Sequence, residues 1–138
     1  MPAEKNRIII IDTNLWISFL LMKDFSKLEK VLSHPSCKLL FSKELYEEFE
    51  AVALRPKFRK YFSVNDIDIT LSYIMCNAKF IEVTSDVKIC RDIKDNFLLS
   101  LANDGKATHL ITGDKDLLDI KRSGKTRIMS ITDFLLKV

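Results

Sequence analysis

The sequence predicts an α/β fold with a central, mainly parallel β-sheet and helices packed on both faces. Short apolar runs such as Arg7–Ile11 carry apolar residues on both faces, which suits a strand buried in a parallel sheet. Segments with apolar residues at helical spacing separate these runs. Strands that alternate with helices are typical of a parallel sheet with helical connections. No internal repeat or low-complexity tract interrupts the alternation.

The first half of the chain contains two predicted strands, each followed by a helix. The strand Arg7–Ile11 stops at an aspartate, and apolar spacing predicts a helix from Leu15 to about Leu32. Cys37–Phe41 is a second apolar run. Ser42 follows it in the position of an N-cap, which predicts a helix to about Leu54. The dipeptide Arg55-Pro56 ends that helix.

The second half continues the alternation. Apolar spacing predicts helices over Val64–Asn77 and Asp95–Asn103 and near Asp114–Leu118. Gly105 is expected to stop the helix that begins at Asp95. The predicted strands are short apolar runs over Lys79–Val83, Thr108–Thr112 and Arg127–Ser130, and Thr132 is predicted to cap a terminal helix.

Length and composition limit the possible classes of protein. The chain has 138 residues, of which 47% are hydrophobic and 30% are charged, with only 3 Gly and 3 Pro. This composition excludes a disordered or collagen-like chain. We expect one domain over residues 1–138, with a flexible N-terminal tail over residues 1–6. The net charge of +3 is too small to indicate a nucleic-acid partner by itself.

Cysteine usage and hydropathy predict a cytoplasmic protein. The three cysteines are widely spaced and form no CxxC pair, so we expect free thiols and no zinc site. The apolar stretch Leu15–Met22 is interrupted by Ser18 and is far too short to span a membrane. No membrane association is expected.

Aspartates follow two of the predicted buried strands. Asp12 comes directly after Ile8–Ile11, and Asp114 comes shortly after His109–Ile111. In open α/β sheets the carboxyl ends of the strands form the crevice where ligands bind, so the two carboxylates meet if their strands are neighbours. The alternative is that each aspartate only caps the helix that follows it, since Asp is favoured at that position.

A glutamate in the helix after Ser42 is predicted to border the same crevice. The apolar stripe of this helix is Leu45, Phe49 and Val52. At about 100° per residue, Glu48 lies beside the stripe and Glu47 lies nearly opposite to it. Glu48 can therefore reach a buried crevice, whereas Glu47 is expected in solvent.

Asp95 is predicted to lie on the inner face of its helix, together with Leu98, Leu99 and Ala102. A carboxylate that points inward is costly unless it is paired or bound to a cation. Capping of the helix is the alternative explanation. Asp92 is expected in the preceding loop.

These acidic residues form a candidate cluster: Asp12, Glu48, Asp95 and Asp114, with Asp116 as a fifth candidate. Two like charges about 4 Å apart repel by about 4 kcal/mol at an effective dielectric constant of 20. Carboxylate oxygens are ligands that Mg²⁺ and Mn²⁺ prefer, so a divalent cation would relieve this repulsion. Metal-assisted phosphodiester hydrolysis is a reaction class that uses such a site.

The sequence resembles the PIN-domain family, in particular the toxin components of bacterial toxin–antitoxin pairs related to the VapC ribonucleases. Four segments in family order carry the resemblance: IIIDTN (9–14), SKELYEEF (42–49) running on to RPKF (55–58), RDIKDNFL (91–98) and LITGDKDLL (110–118). Together they span almost the whole chain. The resemblance implies a PIN-like α/β/α sandwich.

The resemblance also implies the site and its chemistry. The family's acidic positions match Asp12, Glu48, Asp95 and Asp114, with Asp92 a rival for the third. It implies cleavage of single-stranded RNA with one or two Mg²⁺ or Mn²⁺ ions, a cognate antitoxin as partner and, often, a homodimer. In our hypothesis Asp12, Asp95, Asp114 and Asp116 hold the metal, and Glu48 is a ligand or orients the attacking water. Four residues are expected to support them: Thr13, Asn14, Thr112 and Asp92.

Basic residues beside an acidic cleft are needed to hold RNA phosphates. The segment 55–62 has four basic and three aromatic residues, a pattern that suits single-strand binding. The alternative is a solvated loop whose aromatic residues close the core. The candidate RNA-binding residues are Arg55, Lys57, Arg59, Lys60 and Lys115, and weaker candidates near the expected mouth are Lys121, Arg122 and Lys125.

Two other functions remain open from the sequence. One is a non-catalytic RNA-binding or protein-interaction module in which the acidic residues serve only as helix caps. The other is a structure-specific DNA nuclease on the same fold. A metal-induced gain in stability would argue against the first, and competition between RNA and DNA would test the second.

Overall fold

The computed structural model describes residues 6–137 and contains a mixed α/β fold. Its strands are β1 (Arg7–Ile11), β2 (Cys37–Phe41), β3 (Lys79–Phe80), β4 (His109–Ile111), β5 (Arg122–Ser123) and β6 (Thr126–Met129). Its helices are α1 (Thr13–Met22), α2 (Ser26–Leu32), α3 (Lys43–Ala53), α4 (Val64–Asn77), α5 (Ile93–Gly105), α6 (Lys115–Ile120) and α7 (Ile131–Lys137). The flexible tail predicted over residues 1–6 lies, apart from Asn6, outside the described residues.

The six strands form one sheet in the order β3-β2-β1-β4-β6-β5. All neighbours are parallel except β5, which runs antiparallel to β6. The predicted α/β class with a mainly parallel sheet, flanked by helices, is therefore confirmed. After β1 the chain adds β2 and β3 on one side, and it later returns to place β4 on the other side. The carboxyl ends of β1 and β4 thus lie at the point where the strand order reverses, where α/β sheets bind ligands.

The core is centred on β1 and on an aromatic cluster beside it. Ile9, Ile10 and Ile11 are fully buried, as expected for a central strand covered on both faces. Trp16 of α1 is also buried, and its ring centroid lies 5.9 Å from that of Phe41 in β2. This packing fixes α1, and with it the turn at the end of β1, against the sheet.

The helix predicted from Leu15 to Leu32 is in fact two helices. Lys23 adopts a left-handed conformation with φ of 51° and ends α1. The side chain of Asp24 then accepts a hydrogen bond from the Ser26 amide at 3.0 Å, at the start of α2. Apolar spacing alone missed this break because the residue in the left-handed conformation is not glycine.

The sheet edges and the last helix also differ from the prediction. β3 has two residues rather than the five predicted over Lys79–Val83, because β2 ends at Phe41 and offers no further partner. The short strand β5 was not predicted. The terminal helix starts at Ile131, and the hydroxyl of Ser130, not that of Thr132, accepts the hydrogen bond from the Asp133 amide.

Two further expectations can be compared with the described part of the chain. Cys37, Cys76 and Cys90 are free, as expected. Between residues 6 and 137, no helix has both the length and the apolar character needed to cross a membrane.

α5 ends at Gly105, as expected, but Gly105 is not the residue that takes the left-handed conformation. It is the last helical residue, and Lys106 takes the left-handed conformation, with φ of 55°, and donates its N–H to the Ala102 carbonyl. Gly105 instead allows α5 to approach the sheet closely. A Cβ at this position would overlap the side chain of the fully buried Leu40 and lie 3.0 Å from Ile81 Cδ1.

We predict that Gly105→Ala destabilises the protein although alanine favours helices. The added methyl group overpacks the α5–β2 contact, and such overpacking typically costs about 1–3 kcal/mol. Chemical denaturation measures the effect. Gly113→Ala is the matched control, because an added Cβ there has nothing within 4 Å and the expected change stays within about 0.5 kcal/mol. Equal stabilities for the two variants would contradict the close packing of α5.

Candidate functional site

The register of β1 and β4 brings two acidic turns together. Ile11 pairs with Ile111, and the Asp12 amide donates to the Ile111 carbonyl at 3.0 Å. Thr112 therefore lies beside Asp12, and its hydroxyl donates to Asp12 Oδ2 at 2.8 Å. The same hydroxyl oxygen accepts from the Asp114 amide at 3.0 Å. Thr112 thus ties the two turns to each other.

Both strand-end aspartates also cap helices, as the alternative interpretation proposed. Asp12 Oδ1 accepts from the Asn14 amide at 3.5 Å at the start of α1. Asp114 Oδ1 accepts from the Asp116 amide at 2.9 Å at the start of α6. Capping holds each side chain at the mouth of the crevice, and it uses only one of the two oxygens of Asp114. Capping and ligand binding are therefore compatible here.

Asp95 and Asp92 occupy different environments. Asp92 is the N-cap of α5, is exposed and accepts from the Lys94 amide at 2.9 Å. Asp95, in the first turn of α5, is only 5% exposed, and its Oδ2 is buried with no hydrogen-bond partner in residues 6–137. An unpartnered carboxylate oxygen inside a protein is costly, because burial removes its hydration without replacing it.

Three carboxylates converge at this point. One oxygen from each of Asp95, Asp114 and Asp116 lies within 4.8 Å of the other two. Asp95 is buried, Asp114 is half-buried and Asp116 is exposed. Asp12 is outside this close group, although it lies in the same pocket as Asp95 and Asp114.

Glu48 reaches the pocket from α3. The Ser42 hydroxyl accepts from the Leu45 amide at 3.1 Å and starts the helix at the predicted place. Leu45 and Phe49 are buried, Glu48 beside them is half-buried, and Glu47 is exposed. Helical geometry therefore predicted the orientation of both glutamates correctly.

The resulting pocket has a volume of about 170 Å³ and is mostly polar. Its charged lining combines acidic residues with two cations: Asp12, Glu48, Asp92, Asp95, Asp114, Arg55 and Lys94. Asn14, Val52 and Leu98 complete the lining. Asp116 belongs to the close carboxylate group but does not line the pocket.

Crowding of carboxylates raises their pKa values. Burial, together with repulsion from Asp114 and then from Asp92 and Asp12, raises the pKa of Asp95 from 3.8 to about 6. Burial also raises the pKa of Asp12, against the opposing hydrogen bond from Thr112. The pocket thus holds negative charge at an energetic cost in the absence of a cation.

Two cations partly offset this charge at Glu48. Burial raises the pKa of the Glu48 carboxyl, while Lys94 and then Arg55 lower it through attraction. Arg55 was among the predicted RNA-binding residues, but Lys94 was missed. A signal existed, because a lysine in the first turn of α5 opposes the helix dipole and therefore suggests a role other than helix stability.

The donor set fits a hard divalent cation. Every member of the close group is a carboxylate, and no histidine or cysteine belongs to it. The buried, unpartnered oxygen of Asp95 would gain the partner that the protein does not supply. The residues that could hold the ion are Asp95, Asp114 and Asp116, with Asp12 beside them.

Of the three polar residues expected to support Asp12, two donate hydrogen bonds to its carboxylate and the side chain of the third does not. Thr112 contacts Asp12 as expected, and Asn14 lines the pocket and donates its amide to Asp12. The expectation for Thr13 is wrong: its hydroxyl is buried and makes no hydrogen bond to Asp12 or to any other residue in the described range. Thr13 is the first residue of α1, and its side chain packs in the interior.

The predicted RNA-binding segment divides into exposed and buried residues. Arg55, Lys57 and Lys60 are exposed, and so is Lys115 at the start of α6. Arg59 does not fit the expectation. Its Nη2 donates to the Ala53 carbonyl at the end of α3, and its Nη1 is buried.

The aromatic residues of this segment mostly serve the core, as the alternative interpretation proposed. Phe62 is buried and stacks on Phe58, with 5.4 Å between ring centroids. The guanidinium of Arg59 lies over the Phe62 ring at 5.7 Å. Tyr61 is the aromatic residue of the segment that is exposed.

The chain is similar to a known family over most of its length. A family model described as a PIN domain (PIN_3) matches residues 8–116. A relative named Uncharacterized protein MJ1680, from Methanocaldococcus jannaschii, is 32% identical over 145 aligned positions, which cover 98% of this chain and 88% of the relative. No solved structure matches the chain. With its mainly parallel sheet and its acidic cluster at the β1–β4 switch point, the chain belongs to the PIN-domain family, whose members are generally metal-dependent nucleases.

Proposed function

We propose that this protein is a metal-dependent ribonuclease that hydrolyses phosphodiester bonds of single-stranded RNA. One observation carries the proposal: the buried carboxylate oxygen of Asp95 has no partner in the described chain and lies within 4.8 Å of oxygens from Asp114 and Asp116. A binding module that used these aspartates only as caps would have no need of Asp95, which caps no helix. Membership in a nuclease family supports the same reading.

In the proposed mechanism the acidic residues hold Mg²⁺ or Mn²⁺, as one or two ions. Bound there, the cation would neutralise charge on the scissile phosphate and lower the pKa of a water molecule. Asp95, Asp114 and Asp116 provide the close ligands, and Thr112 holds Asp12 beside them through its hydroxyl. The geometry favours Asp95 over Asp92 as the third acid, because an oxygen of Asp95 belongs to the close group with Asp114 and Asp116 and Asp92 does not.

Glu48 has a different role in this proposal. It comes from α3 and lies outside the close carboxylate group, yet it lines the same pocket. This placement favours orientation of the attacking water over direct metal binding. The raised pKa of Glu48 makes its carboxylate a stronger hydrogen-bond acceptor than an exposed one.

Lys94 and Arg55 are proposed to admit the negatively charged substrate. Both line the pocket beside carboxylates that would otherwise repel RNA. Lys57, Lys60 and Lys115 offer exposed positive charge for the backbone on either side of the cut. Arg59 is not included, because its guanidinium is used inside the protein.

The biological setting is proposed from the family resemblance. We infer that the protein is the toxin of a cytoplasmic toxin–antitoxin pair, that a cognate antitoxin restrains it, and that it forms a homodimer. These proposals concern partners, and co-purification with the product of a neighbouring gene would test them.

We predict that Asp12→Asn lowers cleavage of single-stranded RNA by at least about 10- to 100-fold in Mg²⁺ or Mn²⁺, since losing even a group that only orients metal ligands typically costs this much. Asp119→Asn is the matched control, because Asp119 is exposed on α6 and does not line the pocket. Gel assays of end-labelled RNA measure the rates. Unchanged cleavage by Asp12→Asn would place the site elsewhere, and preference for DNA in competition would favour a DNA nuclease.

We predict that Asp95→Asn stabilises the protein in chelator at neutral pH and abolishes its stabilisation by metal. A carboxyl whose pKa is higher in the folded state binds more protons when folded, so the free energy of unfolding falls as pH rises from about 4 to about 6. In Asp95→Asn the free energy of unfolding should therefore fall less over this pH range than in the wild type. For the wild type, a cation at a hundredfold excess over its Kd adds about 2.7 kcal/mol.

Thermal unfolding between pH 4 and pH 8, with chelator or with Mn²⁺, measures both effects, and Asp119→Asn again controls for loss of charge. If Asp95→Asn has a lower Tm than the wild type in chelator at neutral pH, the predicted repulsion between Asp95 and the neighbouring carboxylates is wrong. An undiminished response to Mn²⁺ would remove Asp95 from the metal site. No response to metal in the wild type, together with no RNA cleavage, would favour the non-catalytic module.

A further inference from the structure

A second charged pocket lies at the opposite end of the strands from the acidic one. Arg7 starts β1, His109 starts β4, and Arg127 lies beside His109 in β6. All three line a pocket of about 350 Å³. The acidic residues follow the carboxyl ends of the same strands, so the length of β1, roughly 13 Å, separates the two sites.

The charge of this pocket is positive and uncompensated within the described chain. Its cations come from three parts of the fold: Arg7 (β1), Lys125 (the β5–β6 turn), Arg127 (β6) and Lys137 (α7). Between residues 6 and 137, no carboxylate lines the pocket, and none forms an ion pair with any of these four side chains. Like charges gathered in this way attract a multiply charged anion.

The positive surface continues beyond the pocket. An adjoining groove of about 650 Å³ shares Arg127 and Lys137 and adds Lys121 and Arg122, against one carboxylate, Asp133. Lys121, Arg122 and Lys125 are expected from their sequence positions to lie near the mouth of the acidic site. The structure corrects this, because β5 folds back on β6 and carries these residues to the sheet edge.

The floor of the pocket is apolar and aromatic. Met129 and Phe134 are buried, and His109 meets Phe134 edge to face with 5.0 Å between centroids. The Thr108 hydroxyl lies 2.8 Å from His109 Nδ1 and holds the ring in place. Burial, followed by the charges of Arg7 and Arg127, lowers the pKa of His109. An aromatic ring beside cations suits a nucleobase joined to a phosphate.

We propose that this basic pocket binds one nucleotide of a single-stranded RNA at a distance from the cleavage site. Its four cations surround the phosphate, and the base lies against the half-buried ring of His109, which the fully buried Phe134 supports from beneath. The choice of RNA rests on the proposed function, and the aromatic floor favours it over an acidic peptide, which needs only the charge. Long RNAs would thus gain affinity that short ones cannot obtain.

The experiment compares Lys125→Gln/Arg127→Gln with Lys27→Gln/Lys30→Gln. Both double variants remove two exposed positive charges, but Lys27 and Lys30 lie on α2, outside the pocket. Fluorescence anisotropy in chelator measures the Kd of a long single-stranded RNA without cleavage. We expect Lys125→Gln/Arg127→Gln to weaken binding about fivefold and to lower the salt slope of log Kd by up to about 0.7, the value for contact with one phosphate of a single strand. The α2 variant should change neither.

Cleavage of a dinucleotide in Mn²⁺ separates this proposal from the proposed function. A dinucleotide cannot reach both sites, so the two double variants should cleave it like the wild type. If the two double variants bind RNA equally well, the proposed RNA binding by the basic pocket is wrong, and the proposed nuclease activity is unaffected. Polyglutamate or free AMP binding as tightly as RNA would also overturn the proposal for the basic pocket. If the wild type cleaves no RNA but Lys125→Gln/Arg127→Gln still binds RNA more weakly than the wild type, the nuclease proposal is wrong and the proposal for the basic pocket stands.

Discussion

Repulsion among carboxylates at the end of β1 and β4 is the constraint on which the rest of the structure depends. The sheet, the cap of each following helix and the Thr112 hydroxyl all act to hold Asp12 and Asp114 in one place. Asp95 then joins them from α5 with an oxygen that no described group satisfies. Such an arrangement is stable only because the fold determines it from several directions at once.

Backbone caps and metal ligands are often treated as alternative explanations of the same aspartate. Here the two roles depend on each other. A capping bond uses one oxygen of Asp114 and fixes its rotamer, which leaves the second oxygen pointing to a defined place. Asp95 has no cap to make, and it is the residue whose pKa rises to about 6. Asp114 therefore serves both as a helix cap and as a member of the carboxylate group, whereas Asp95 belongs to the group without capping a helix.

Local patterns in the sequence were sufficient for the central strands, for the start of α3 and for the orientation of Glu48, because each depends on near neighbours. What they missed depends on contacts between distant residues. The bond from Thr112 to Asp12 joins positions 100 residues apart, so it follows from strand register alone. The left-handed Lys23 gives no glycine signal. The turn that carries Lys125 to the sheet edge contains the left-handed Gly124, but the two-residue strand β5 before it was too short to recognise.

The outermost strands of the sheet, β3 and β5, have two residues each. Longer flat edges would offer rows of unpaired amides and carbonyls to another chain. With Lys79 on one edge and Arg122 on the other, a second molecule that tried to extend the sheet would gain few hydrogen bonds and would place its own matching cation close by. Because these strands are so short, we expect little aggregation through edge-to-edge strand pairing even at high protein concentration.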